Sequence, residues 1–93
     1  MPKYVIERDM PGLGEATVEQ LREASANSNQ MIAELGSEIS WLESYVTDDK
    51  MYCVFVASGE DIILEHARCA GMPADRISRI VHVADPSWGE QSA

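Results

Sequence analysis

Three side chains in this sequence have the chemistry of a divalent-metal site: the imidazole of His66 and the carboxylates of Glu7 and Asp9. Imidazole nitrogen and carboxylate oxygen are both ligands of first-row divalent metals. Glu7 and Asp9 lie at the end of a predicted strand, and His66 lies near the end of a predicted helix. The topology derived below brings these two ends together, so the sequence predicts a metal site. The alternative is that His66 only neighbours the C-terminus of its helix, where partial positive charge is favourable.

A second group of chemically useful side chains falls on one face of a predicted sheet, because alternate residues of a strand share a face. Its members are Trp41, Glu43, Tyr45, Tyr52 and His82. A carboxylate between aromatic rings, with a histidine on the same face, is typical of a cavity wall or a subunit interface. This second interpretation predicts a small-molecule-binding protein or a cavity enzyme, with His82 as base or ligand. The sequence assigns no catalytic residue and leaves enzyme activity open.

The hairpin at residues 39–57 is the element around which the chain is organised. Its second arm, residues 50–57, is the longest apolar run and alternates large side chains on both faces, which predicts a central strand. Its first arm is residues 39–46, joined through a polar turn at Asp48 and Asp49. This two-residue loop predicts three facing pairs on one side of the sheet: Tyr45 with Tyr52, Glu43 with Val54, and Trp41 with Val56.

The remaining strands and helices are predicted from the alternation of side chains and from residues that begin or end a helix. Residues 3–8 and 77–84 alternate as strands, and the second of them includes His82. Thr17 and Gln20 form a capping box at the start of a first helix, which Gly36 ends. A second helix follows Ser58 and stops at Gly71.

This order predicts a ferredoxin-like βαββαβ domain of the α+β class over residues 1–86, followed by a polar tail over residues 87–93. Right-handed crossovers give a four-stranded antiparallel sheet of order 4-1-3-2, with both helices on one face. We expect strands 1 and 3 in the centre, with this one pair running parallel. No helix covers the face that carries Trp41, Tyr45 and Tyr52, so we expect a homodimer packed through this open face of the sheet.

The composition of the chain indicates which partners it can bind and in which cellular compartment it occurs. The 93 residues predict one domain, and sixteen acidic against seven basic residues give a net charge of −9. This charge predicts that neither nucleic acid nor an anionic membrane is a partner. We expect a cytoplasmic protein, because no apolar run spans a membrane and the first residues enter a strand directly. We also predict no organic cofactor. Cys53 and Cys69 form no disulfide framework, and both are expected to be reduced and buried.

Three stretches of the chain resemble one family of small bacterial proteins of largely unknown function. They are residues 1–8 (MPKYVIER), residues 44–53 (SYVTDDKMYC), and residues 65–67 (EHA) with residues 71–74 (GMPA). The resemblance extends over residues 1 to about 86. It implies a dimeric ferredoxin-like, or α/β-barrel, protein, and one branch of the family is described as nickel-binding.

The resemblance also implies Ni²⁺ or another divalent metal as the bound ion. The nickel-binding branch typically has a histidine at the end of the first strand, where this chain has Ile6, Glu7 and Arg8. The histidine of the second helix is matched by His66. The resemblance therefore implies a site that keeps His66 and replaces the other imidazole with Glu7 or Asp9. One imidazole with carboxylates is a weaker set than several histidines, so the expected affinity is modest.

Overall fold

The computed structural model describes residues 1–90 of the chain. Its sheet contains β1 (Lys3–Asp9), β2 (Ile39–Val46), β3 (Lys50–Ala57) and β4 (Arg76–Ile80). Two helices, α1 (Val18–Leu35) and α2 (Glu60–Ala70), connect β1 to β2 and β3 to β4. Short 3-10 helices occur at Leu13–Glu15 and Pro86–Glu90. No helix in this part of the chain combines the length and the apolar composition that a membrane crossing requires.

The sheet has the order β2-β3-β1-β4, which is the predicted order read from the other edge. The prediction of a four-stranded antiparallel sheet with two helices is confirmed. The expectation that strands 1 and 3 run parallel is wrong, because every neighbouring pair is antiparallel. The reason is topological: the α1 crossover makes β1 parallel to β2, and the hairpin makes β3 antiparallel to β2. Because β3 lies between β1 and β2, it is antiparallel to both of them.

Local signals set the start of α1 and the end of α2 as predicted, whereas the predicted N-cap of α2, Ser58, is wrong, because Gly59 takes that position without a side-chain capping bond. Thr17 Oγ1 accepts a hydrogen bond from the Gln20 backbone N–H (3.1 Å), and Gln20 Oε1 accepts from the Thr17 backbone N–H (2.9 Å). This capping box satisfies two N–H groups that the first turn leaves without partners. Gly71 ends α2 in the left-handed region at φ 67°. That conformation favours glycine, which has no Cβ to clash with the carbonyl oxygen.

The core lies between the sheet and the helices. In β3 the side chains of Met51, Cys53, Phe55 and Ala57 are buried, whereas their neighbours in the strand are half-buried. The helix-facing residues of β1 continue this layer, and Ile63 of α2 packs on it. The prediction that Cys53 lies under the helices is confirmed. The expectation for the other thiol is wrong, because Cys69 is exposed.

A β-bulge in β2 changes which way one predicted site residue faces. The pairs Tyr45 with Tyr52 and Glu43 with Val54 are confirmed, but the register shifts between Trp41 and Glu43. Trp41 therefore pairs with Phe55 and packs against the core on the helix side, so its predicted place on the open face is wrong. The physical reason is the extra residue that a bulge inserts into one strand, which reverses the alternation of faces beyond it.

The last strand is shorter than predicted, and this moves His82 out of the sheet. β4 ends at Ile80, which pairs with Lys3 at the very start of β1. Pro2 precedes Lys3 and has no N–H to continue the ladder. His82 is exposed beyond the strand, and its ring lies edge-on to Trp88 with centroids 5.8 Å apart. Of the predicted tail, residues 87–90 belong to the last 3-10 helix, and residues 91–93 lie outside the described residues.

Candidate functional site

A cavity of about 160 Å³ lies between the two helices and the sheet. Its apolar walls come from α1, the strands β2 and β3 and the turn after α2; they include Leu21, Trp41, Met51, Phe55 and Met72. Its polar lining consists of Arg8, Ser25, Ser28, Ser44, Cys53 and His66. Ala24 and Val46 also line it and are exposed, so they mark the side on which the cavity meets solvent.

Two small residues of α1 leave the space that the cavity occupies. Ser25 and Ser28 face the sheet where leucine-sized side chains would fill the gap between helix and strands. Ser25 Oγ donates to the carbonyl oxygen of Leu21 (2.8 Å), which satisfies its hydroxyl locally. Ser28 is buried, and its Oγ lies 3.0 Å from His66 Nε2 of α2. The pair of serines thus opens the cavity and connects α1 to the histidine on α2.

Arg8 is the most unusual lining residue, because its side chain is fully buried at 0 % exposure. Its Nη1 donates to the backbone oxygen of Pro73 at 2.5 Å. Its Nε and Nη2 are buried and have no hydrogen-bond partner among residues 1–90. None of the salt bridges formed within residues 1–90 includes this guanidinium. The cavity wall therefore carries a positive charge that the described residues do not neutralise.

His66 lines the same cavity from α2 and is 1 % exposed. Burial lowers its pKa from the ordinary 6.5, and the positive charge of Arg8 lowers it further, whereas a hydrogen bond with the backbone of Ser28 raises it. Its Nδ1 has no hydrogen-bond partner in the described part of the chain, and the centroid of its ring lies 5.3 Å from that of Phe55. The unfolded chain therefore binds the proton more readily, so this histidine lowers stability as pH falls below about 6.5.

The predicted metal ligands do not come together. Glu7 and Asp9 lie on the open side of β1, where Lys50 Nζ is 3.1 Å from Glu7 Oε1 and 3.6 Å from Asp9 Oδ1. The hydrogen bond to Glu7, then the charges of both carboxylates, raise the pKa of Lys50. His66 lies on the helix side of the sheet, where it lines the cavity with Arg8. Residues 7 and 9 of a strand face away from residue 8, so the two carboxylates lie on the opposite side.

The donor set around His66 does not fit a nickel site. Residues 1–90 contain no group of three or more histidine, cysteine or acidic side chains close enough to share a metal ion. A divalent cation placed at His66 would also meet the guanidinium of Arg8 in a poorly solvated cavity, where repulsion between like charges is strong. The carboxylates that would offset this repulsion are on the other face of the sheet.

The second predicted group is divided among three places. Glu43, Tyr45 and Tyr52 are on the open face, as expected. The Tyr45 hydroxyl donates to Glu43, and this bond, followed by the negative charge of Glu43, raises the pKa of Tyr45. Trp41 lines the cavity on the opposite side of the sheet, and His82 lies in the exposed segment after β4. These side chains do not form one site.

Sequence reasoning missed Arg8 and Ser28 as members of the site. A signal for Arg8 was available: it follows Tyr4 and Ile6 on the side of the first strand that faces the helices. An arginine at such a position is buried unless the strand ends before it, and buried arginines are rarely left without a carboxylate. A signal for Ser28 also existed, because Ser28 lies at spacings of three and four residues on the apolar stripe of α1 that contains Leu21 and Ile32.

Comparison with known proteins places the chain in a family. The fold matches the crystal structure of SCO4226 from Streptomyces coelicolor A3(2), with a TM-score of 0.73 and 18 % identity over 88 % of this chain and 99 % of that chain. At this identity the match shows the shared fold. A search of curated proteins gave no match. The model of one family, described as "Nickel responsive protein SCO4226-like", matches residues 4–80, which is most of the chain. The chain therefore belongs to the SCO4226-like family of nickel responsive proteins.

Proposed function

We propose that this protein binds a small molecule in the cavity between its helices and its sheet. The observation that carries the proposal is the cavity itself, about 160 Å³ in volume and open to solvent beside Ala24 and Val46. Protein interiors are close-packed, and voids larger than a water molecule are few. An apolar cavity of roughly 150 Å³ is large enough to admit benzene.

The lining has the composition of a binding site rather than of a packing defect. Aromatic and aliphatic side chains form most of the wall, and a few polar groups converge on it. Two of these polar groups, on Arg8 and His66, are buried with nitrogen atoms that no group in the described residues pairs. Buried polar groups without partners are costly, so a ligand that supplies acceptors would be bound with a net gain.

Tryptophan fluorescence gives a direct test of ligand binding. Trp41 lines the cavity and Trp88 does not, and the chain has two tryptophans, so Trp88→Phe leaves a single reporter. Titration with benzoate, benzylamine and benzyl alcohol should give a saturable change in Trp41 emission for at least one compound, with a rise in Tm. Ser25→Leu should abolish the response by filling the cavity, whereas Ala33→Leu, at an exposed position of α1, should retain it. A flat response to all three compounds would refute the proposed function.

Binding of a divalent metal ion is a second candidate function, which the family description supports. The donor set of the single chain predicts no saturable binding of Ni²⁺ at His66, since Glu7 and Asp9 are engaged with Lys50 on the opposite face. Calorimetry at pH 7.5 on protein without an affinity tag is the measurement. A saturable heat that His66→Ala removes and His82→Ala leaves intact would establish the metal function and contradict our expectation.

We also propose that the protein works as a cytoplasmic homodimer joined through the open face of the sheet. Half-buried valines of the two central strands and the rings of Tyr45 and Tyr52 lie on this face, and both helices pack on the other one. The segment after β4 exposes further apolar surface at Val81, Val83 and Trp88. The radius of gyration of 14.7 Å also exceeds the roughly 12 Å expected for a compact chain of this length. A second copy would cover this surface.

Sedimentation velocity tests the dimer. At micromolar concentration we expect the wild-type protein to sediment as a dimer, and the double variant Tyr45→Lys with Tyr52→Lys as a monomer. Four lysines would then meet across the symmetric interface, where like charges repel and lose hydration. Glu34→Lys, at an exposed position of α1, is the matched control and should remain dimeric. A wild-type protein that stays monomeric up to 100-fold higher concentration would contradict the proposal.

A further inference from the structure

We infer that the cavity is a site for a small monocarboxylate with an apolar body, whose carboxylate binds the guanidinium of Arg8 beside His66. This inference rests on the proposed function and adds the chemical class of the ligand. It is carried by the unpaired donors of two buried side chains that line one cavity.

The shape of the unpaired edge of Arg8 selects a carboxylate. Nη1 is engaged with the Pro73 carbonyl oxygen, and the free donors are Nε and Nη2. These two nitrogens lie on the same edge of the planar guanidinium, and their N–H bonds point in parallel. Two parallel N–H donors match the two oxygens of a carboxylate in the bidentate geometry that arginine prefers. A single neutral acceptor, such as an alcohol, would satisfy only one of them.

The charge balance calls for an anion from outside the chain. A buried cation without a counter-charge is costly, because the interior solvates it far less well than water. The acidic side chains next to Arg8 in the sequence, Glu7 and Asp9, face the other side of the sheet and are engaged with Lys50. No carboxylate in residues 1–90 forms a salt bridge with Arg8. One guanidinium beside a neutral histidine balances one negative charge, which favours a monoanion over a phosphate dianion.

His66 and Ser28 complete the polar end of the cavity. The Ser28 hydroxyl and His66 Nε2 lie 3.0 Å apart, and none of residues 1–90 offers a hydrogen-bond partner to Nδ1. When the serine hydroxyl donates to Nε2, the neutral ring carries its proton on Nδ1 and has a free N–H to donate. A carboxylate oxygen is an acceptor for that donor. The ligand would therefore satisfy the remaining unpaired nitrogen atoms of the buried lining side chains together.

The rest of the cavity sets the size and the polarity of the ligand. Leu21, Trp41, Phe55 and Met72 offer apolar surface with no further charge. A volume of about 160 Å³ admits a body of about the size of benzene. The class that fits is a monocarboxylate carrying a single ring or a short branched chain.

Benzoate and benzyl alcohol are matched probes, because they share the ring and differ in the charged group. In the Trp88→Phe background, Trp41 emission should report a Kd for benzoate at least tenfold lower than that for benzyl alcohol. Arg8→Met should remove this preference, because benzoate loses a bidentate ion pair whereas benzyl alcohol loses at most one neutral hydrogen bond. Arg79→Met, which removes an exposed arginine of β4, should preserve the preference. Arg8→Lys keeps the positive charge but lacks the two parallel N–H donors of the guanidinium, so it should bind benzoate more weakly than the wild-type protein does. This variant supplies the test if Arg8→Met does not fold.

The outcomes separate this inference from the proposed function. Equal Kd values for benzoate and benzyl alcohol, or a preference that survives in Arg8→Met, would overturn the carboxylate site and leave small-molecule binding standing. Displacement of benzoate by an equimolar amount of inorganic phosphate would overturn the choice of a monocarboxylate with an apolar body. Failure of every probe, charged or neutral, would remove both proposals.

Discussion

Replacing Phe55 with alanine should lower the free energy of unfolding by about 3–5 kcal/mol, the usual cost of deleting a buried aromatic ring. Phe55 is 1 % exposed in the central strand β3, and its ring packs beside that of His66. The substitution loses the hydrophobic contribution of the ring and enlarges an existing cavity that the neighbours cannot fill. A domain is stable by roughly 5–15 kcal/mol, so this loss is a large fraction of the total.

Urea denaturation followed by circular dichroism is the measurement for Phe55→Ala. Trp88→Ala is the control, because this aromatic residue is 50 % exposed in the segment after the sheet. We expect the control to change stability by less than about 1 kcal/mol. A loss of less than 1 kcal/mol in Phe55→Ala would show that the core between β3 and the helices is not packed as described.

Replacing Arg8 with methionine should raise the free energy of unfolding of the ligand-free protein by about 1–4 kcal/mol, the range seen when buried ionic groups are replaced by apolar ones. The side chain is fully buried and its charge has no counter-charge among residues 1–90. Methionine has a similar length and flexibility and leaves no donor unpaired. The carbonyl oxygen that Arg8 contacts belongs to Pro73, which is exposed, so water can replace the lost bond.

Thermal unfolding at pH 7 checks this prediction. The Tm should rise by roughly 4–8 °C for each kcal/mol of added stability in a domain of this size. Arg79→Met is the matched control: the same change at an exposed position should alter stability by no more than about 0.5 kcal/mol. A lower Tm for Arg8→Met would mean that the bond to Pro73 contributes more than the buried charge costs. A stabilising substitution that abolishes benzoate binding would show that stability is sacrificed at this position for a binding site.

Much of the fold could be predicted because it depends on short-range signals. The alternation of residues 50–57 predicts a central strand whatever lies on either side of it, and the buried pattern of β3 agrees. The capping box at Thr17 and the glycine at position 71 act within one helical turn, and both end up where the sequence predicts. The order of the elements then limits the topology, since right-handed crossovers leave few arrangements.

The candidate site was harder to predict, because it depends on which face each side chain reaches. The strand pattern already separates Glu7 and Asp9 from Arg8, yet the predicted metal site needed His66 to reach around the end of the strand. The structure instead pairs the carboxylates with Lys50 and leaves His66 beside Ser28. Ser28 and His66 are 38 residues apart in the sequence and belong to different helices, so no local pattern indicates their contact.

By itself, the sequence determined the strands, the helices, their order and the two-faced character of the sheet, because periodicity and capping act within a few residues. The tertiary structure alone decided that Trp41 turns towards the helices, since a single inserted residue in β2 reverses its face. It also decided that the last strand stops at Ile80, where its partner strand begins. Above all, it decided that Arg8 is buried without a carboxylate, because a missing partner is visible only when every neighbour in space is known.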